Sequence, residues 1–378
     1  MKLDTAEDVK AALKICDDDY NEANKNLAFK CIERAKWLKD PELEFKARHE
    51  FISQAFFLNH DEESIPMFSK QLHYIDNNEP GLVDHMLTLW AYKWVINALD
   101  EFSGISLEKI ENIFADFERR LNESGWAGNA VEDFRVKLTY GLGKPDEALE
   151  IYRQMISDDK SGMLDDCQAC QVNNALDLLM HHELHDEVKK LAQPILDGDM
   201  TCENVPKTTY PKLVYHHYVL GEWDLAELCD SKIKKHLDEE HFHADSYGWV
   251  LPFWGISKKY VRAIEVILHQ MTYMTARVSA LTKYDFFLAC SLFFRAMHQQ
   301  GDLWIKLDLN MSQLEDTQVL ERNESGQLGT VSLEEVFLKM ARVRAKKLDT
   351  RNRNQFYTVE INKHQNMLDR QLAAYLAK

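Results

Sequence analysis

Proline and glycine are both scarce, 8 and 14 residues in a chain of 378. That scarcity excludes the turn-rich, all-β and low-complexity classes, which draw heavily on these two residues. Long apolar runs are missing too. The stretch from Phe286 to Phe294 reaches nine residues before Arg295, against the ~20 that a membrane-spanning helix takes, so no membrane segment is expected. No apolar h-region follows Met1, and no signal peptide is expected. The seven cysteines are odd in number and scattered, which speaks against a disulfide framework and for a cytoplasmic location. Gly-rich phosphate loops, a GxSxG elbow and a GxGxxG fingerprint are all absent. No residue therefore argues for an enzyme, and no catalytic residue, cofactor or metal is expected.

What is present points to packed helices. Hydrophobic residues make up 45% of the chain and charged residues 28%, enough for both a core and a solvated surface. Thr5 reads as an N-cap with Glu7 and Asp8 in the first turn, and Val9, Ala12, Leu13 and Cys16 follow at helical spacing. Asp40-Pro41 opens another helix. Leu82 to Leu99 is strongly apolar, and Phe286 to Phe294 is apolar nearly all round, so both should be enclosed by neighbours. Residues 308–330 form the most loop-like stretch, after which Ser332-x-x-Glu335 reads as a capping box.

Two stretches match each other. Tyr140-Gly141-Leu142-Gly143-Lys144-Pro145-Asp146-Glu147-Ala148 and Tyr218-Val219-Leu220-Gly221-Glu222-Trp223-Asp224-Leu225-Ala226 each read as a helix end, a Leu-Gly turn and an acidic second-helix start. Ala148 and Ala226 are 78 residues apart. His185-Asp186-Glu187-Val188 falls midway with Val188 in the Ala position, and Ala263 continues the series 37 residues on. A small residue there lets the two helices of a hairpin approach to the short end of ~8–10 Å. A single hairpin cannot bury its own apolar face, so neighbours must stack.

Leu-Gly-x-x-Asp-x-Ala with Tyr140 or Tyr218 before it resembles the core of tetratricopeptide repeats, over about residues 130–270. The period here is nearer 39 than 34, and Val188 departs from the Ala rule. The segments 202–210 and 348–352 are similar to stretches in bacterial tetratricopeptide-like proteins. The resemblance implies an all-α, right-handed superhelical α-solenoid of stacked antiparallel helical hairpins. Divergent hairpins would occupy 1–129, the best-matched repeats 130–270, and C-terminal helices with a basic capping end 271–378, as one continuous solenoid.

The resemblance also places the first helix of each hairpin on a concave face. Counting three, six and ten residues back from the turn gives Tyr140, Lys137 and Asp133. From Glu183 it gives Met180, Asp177 and Asn173, and from Gly221 it gives Tyr218 and Tyr215. These eight are the expected groove residues for a protein or peptide ligand, although Tyr215 and Tyr218 could equally be packed between helices. The expected function is a non-enzymatic scaffold for protein or peptide binding. The alternatives are a peptide-responsive regulator of the signalling-peptide receptor type and a metal-dependent enzyme using the His/Cys cluster of 167–185.

That cluster has a plain reading. Cys167-x-x-Cys170 lacks a second pair at matching spacing, Cys202 stands alone in sequence, and two small residues packing inward on a helix account for it. His181-His182-Glu183-Leu184-His185 fails the HExxH spacing and reads as a solvated turn, and His241 and His243 read as chance neighbours. Net charge is −17, yet Lys339 to Lys378 holds ten Lys/Arg against three Asp/Glu, leaving −24 for the remainder. Nucleic acid is not an expected partner. The basic end reads as a solvated cap, as a lid folded back over the groove, or as a contact for an acidic partner.

Overall fold

The computed structural model describes residues 2–17, 19–58, 60–78, 81–158, 160–233, 244–274, 278–310, 314 and 319–378. The protein is all-α. Among the described residues seventeen helices and a two-stranded ladder form two compact units, each described by itself below.

The first unit comprises Met1–Leu99, Glu108–Phe134 and Asp159–Asp165. Its helices are α1 (Ala6–Cys16), α2 (Glu22–Leu38), α3 (Pro41–Phe57), α4 (Asp61–Asn77), α5 (Leu82–Ala98) and nearly all of α6 (Leu107–Ser124). Successive helices from α1 to α5 pack on one another. The starts are as local chemistry dictates. Thr5 and Asp8 form a capping box on α1, and Asp40 caps α3 with Pro41 in its first turn. A buried amide ties the first three helices together: Gln54 Nε2 donates to the carbonyls of Cys16 and Asp19 at 2.6 and 3.0 Å, while its Oε1 accepts from Asn21 N–H at 3.1 Å.

The second unit comprises Asp100–Leu107, Arg135–Asp158 and Asp166–Lys378. The boundary falls inside α7 (Ala130–Gly141), of which Arg135 onward belongs here. Then come α8 (Pro145–Asp158), α9 (Gln168–His181), α10 (His185–Leu196), α11 (Thr209–Val219), α12 (Trp223–Ile233), α13 (Ala244–Ile256) and α14 (Tyr260–Met271). One turn joins each of four successive pairs. Gly143, Glu183, Gly221 and Lys258 all have left-handed backbones, with φ of 74°, 56°, 71° and 57°. In each turn the next residue's N–H returns to a carbonyl five residues back: Lys144 to Thr139, Leu184 to Leu179, Glu222 to His217 and Lys259 to Trp254, at 2.8–3.2 Å. This is the Schellman arrangement, which satisfies carbonyls that a helix end leaves open. Five residues beyond each left-handed residue, Ala148, Val188, Ala226 and Ala263 are fully buried.

The remaining helices enclose this series. In α15 (Ala280–Gln299) the run from Phe286 to Phe294 is buried throughout, packed against α13 and α16 (Thr330–Asn352). Between α15 and α16, β1 (Trp304–Ile305) pairs antiparallel with β2 (Leu328–Gly329), and β2 falls within the stretch 308–330 expected to be loop. Because β2 runs directly into α16, the helix begins at Thr330 rather than after Ser332. Ser332 is thus not an N-cap. Its buried hydroxyl donates to Gly329 carbonyl and accepts from Glu321 N–H, at 2.9 and 3.1 Å. The last helix, α17 (Phe356–Leu376), contacts α11, α13, α15 and α16.

Candidate functional site

The second unit contains a cavity of about 450 Å³. Its walls come from the first helix of each of the four turn-linked pairs and from α17. Tyr140 stands on α7, Asp177, Met180 and His181 on α9, Tyr215 and Val219 on α11, and Trp249 on α13. Glu183 borders it from the turn between α9 and α10, and His185 from the start of α10. Glu360, Lys363, His364 and Met367 face it from α17, with Asn366 and Arg370 further along. The reason is periodic: residues three or six before a left-handed turn residue share one side of their helix, and Tyr140, Met180, Asp177 and Tyr215 all satisfy that count.

The aromatic wall is built edge to face. Tyr215 and Trp249 have ring centroids 4.8 Å apart at 77°, and Tyr140 meets His181 at 5.7 Å and 76°. Tyr215 Oη is hydrogen-bonded to His364 Nδ1 at 3.1 Å, which fixes α17 against α11. Phe356, at the start of α17, lies 5.6 Å from His181 and 6.1 Å from Tyr140. Tyr357 Oη donates to the carbonyl of Gly141 at 2.5 Å, and Gln371 Nε2 donates to that of Val219 at 2.6 Å. The C-terminal helix is thus bonded to the ends of two first helices.

Charge inside the cavity is muted by burial. Burial lowers His181 to about 4, helped by Lys363, His182 and His364, and burial with Lys363 brings His364 to about 4 as well. Burial raises the Glu360 carboxyl, against the pull of Lys363. Glu360 stands 3.9 Å from His181 Nδ1, 3.7 Å from His364 Nε2 and 3.7 Å from Lys363 Nζ. Asp177 is paired with Lys212 at 2.7 Å. At neutral pH the two histidines are uncharged, and the floor is a mixed aromatic and polar surface with its cations, Lys363 and Arg370, exposed at the rim.

No protein-family model matches the chain, and no curated protein does.

The eight expected groove residues separate into two groups. Tyr140, Asp177, Met180 and Tyr215 line the cavity. Lys137 instead pairs with Asp166 at 3.1 Å. Asn173 is buried, its Oδ1 accepting from Thr209 Oγ1 at 2.7 Å, and Tyr218 is wholly buried beside Tyr215 and Trp223. Asp133 is buried in the first unit. Trp249 and the α17 residues were not reached by counting back from turns. Trp249 sits nine residues before Lys258, off that count, and α17 is brought in by contacts far apart in sequence.

Two readings of the His/Cys stretch need correction. His181 is not in a solvated turn, because Tyr140 and Phe356 cover its ring. Cys167 and Cys170 do not pack inward together. Helix α9 starts after Cys167, so Cys167 is an exposed N-cap and Cys170 is half-buried in the first turn. Nor does Cys202 stand apart in space: its Sγ is 3.4 Å from that of Cys170. His241 and His243 lie outside the described residues. In the basic end, Arg342, Lys346, Lys347 and Arg353 are exposed, whereas Arg351 is buried and donates to the carbonyls of Asp100 and Phe102 at 2.6 and 3.2 Å.

Proposed function

We propose that this protein is a non-enzymatic binding module: a tetratricopeptide-like, right-handed α-solenoid whose concave side takes a peptide segment of a partner protein. The Tyr140–Tyr215–Trp249 cavity would serve as the anchor pocket for one apolar or aromatic side chain. The observation that carries the reading is the origin of the walls, since the first helices of four successive hairpins all contribute to one cavity. The solenoid reading is supported by the same Schellman turn recurring at intervals of 40, 38 and 37 residues. A pocket of ~300–1,000 Å³ with aromatic walls suits a buried anchor, and Tyr and Trp are enriched at such contacts. Lys363 and Arg370 at the rim would read acidic residues flanking the anchor.

A peptide-responsive version is favoured by one feature. Six cavity residues belong to α17, so an occupant meets the terminal helix as well as the repeats and can alter how α17 sits.

The test is affinity capture, followed by fluorescence titration with the captured peptides, for wild type and for Tyr215→Ala/Trp249→Ala. The variant, checked for folding by circular dichroism, should lose at least ~10-fold in affinity, as removal of two anchor contacts implies. A folded variant that keeps every partner at unchanged affinity would refute the anchor assignment.

A further inference from the structure

We propose that Cys167, Cys170 and Cys202 form a three-thiolate site for a thiophilic divalent cation of the zinc class, with a fourth coordination position open to solvent. Two separate elements bring the sulfurs together. Cys167 is the N-cap of α9, with extended backbone (φ −60°, ψ 152°) and no side-chain capping bond, and Cys170 follows in the first turn. The N–H groups of that turn have no intrahelical partner and carry the positive end of the helix dipole.

Cys202 arrives from the segment between α10 and α11. Its N–H donates to Val205 carbonyl at 3.0 Å, closing a tight turn.

The distances fit one ion. Cys170 and Cys202 Sγ are 3.4 Å apart, and all three sulfurs lie within 4.8 Å of one another. Tetrahedral zinc with Zn–S near 2.3 Å needs sulfurs about 3.8 Å apart, inside that range. A disulfide would use two of them at ~2.05 Å and leave the third without a role. Beneath the cluster, Ala169, Ile195 and Val205 are buried, with Val172 and Met200 packed against them, so the site rests on an apolar platform. Exposed Cys167 gives the entry route and the open position. The other four cysteines, Cys16, Cys31, Cys229 and Cys290, are all buried elsewhere and serve as internal controls.

The experiment uses the full chain, reduced and stripped with chelator, titrated with Co²⁺ and then with Zn²⁺. The expected result is one cobalt per chain with thiolate-to-cobalt charge-transfer absorption and the intense visible bands of four-coordinate cobalt, displaced by one zinc. Zinc should also raise the unfolding temperature, since it binds only the folded arrangement. Cys202→Ser should weaken cobalt binding by more than ~10-fold and abolish the zinc-induced thermal shift, while Cys229→Ser changes neither. If Cys202→Ser does not fold, Cys167→Ser, at an exposed position, gives the same reading. Absence of charge-transfer bands at stoichiometric cobalt, a weak six-coordinate spectrum, binding unaffected by either variant, or a Cys170–Cys202 disulfide forming in place of metal uptake would each overturn the proposal.

Discussion

Gly143 and Gly221 occupy the same place in two copies of one turn, with φ of 74° and 71°, yet they should respond differently to the same methyl group. A left-handed backbone costs a non-glycine residue ~1–2 kcal/mol, partly offset because alanine narrows the unfolded ensemble by ~0.4–1 kcal/mol. Gly221→Ala meets nothing nearer than Gln371 Oε1 at 3.7 Å, so the backbone term stands alone at about 1 kcal/mol. At Gly143 the added Cβ would sit 2.6 Å from Phe356 Cβ, 2.9 Å from Phe356 Cγ and 2.8 Å from Asn354 Nδ2. Phe356 Cβ cannot swing aside without moving the start of α17. The Asn354 amide would also leave the carbonyls of Leu142 and Gly143, to which it donates at 2.8 and 3.3 Å. Overpacking of this kind adds ~1–3 kcal/mol, so Gly143→Ala should cost about 2–4 kcal/mol in all. Urea unfolding followed by circular dichroism measures both variants. Equal losses, within about 0.5 kcal/mol, would show that α17 does not press on the first turn, and the account of how the cavity is closed would fail with it.

Asp230 is buried and bonded to Trp254 Nε1 at 2.7 Å, Lys259 Nζ at 2.6 Å and Arg262 Nη1 at 2.9 Å. Asp230→Ala should therefore destabilise by ~3–5 kcal/mol, the cost of stranding buried partners, with Asp230→Asn less severe; chemical denaturation decides. Acidification should weaken the fold for a second reason. His49, His181, His216 and His364 are each held near 4, by burial first, against the ordinary 6.5. Between those values the unfolded chain binds more protons than the folded one. The stability that the neutral rings confer is complete above about pH 6.5 and is lost as pH falls towards 4. The unfolding temperature should drop over that window, and His364→Asn should flatten the slope; an unchanged slope would refute the assignment for that residue.

The repeated turns were legible because their causes are local. Gly143 and Gly221 announce left-handed helix ends, and the residues five further on are small because helices cross there. Glu183 and Lys258 adopt the same backbone without glycine. They were found only through the period, with the surrounding fold imposing what their own side chains disfavour. For the part of the cavity contributed by α17, the sequence offered only a lid folded over the groove as one of three readings of the basic end, and none of its six lining residues was singled out. Tyr215 meets His364 across 149 residues and Gly141 meets Tyr357 across 216, and no spacing rule connects such pairs. The same holds for Cys202, which is 32 residues from Cys170 in sequence and 3.4 Å from it in space. Conversely, Asn173 and Tyr218 sit at groove-facing counts but are claimed by core packing, because helix periodicity gives a side and not its depth.

The interleaving of the two units has a practical side. The chain passes from one to the other at 99/100, 107/108, 134/135, 158/159 and 165/166, twice within a continuous helix. A cut anywhere before 165/166 therefore leaves the first unit short of a segment, and that unit is complete during synthesis only once residue 165 has been made. A protease nick in 100–107 falls in the second unit and one in 159–165 in the first, whereas shortening from the C-terminus as far as residue 166 erodes only the second. Dissection of this protein by deletion mapping should fail for every fragment ending between 100 and 165, and point substitutions are the appropriate tool.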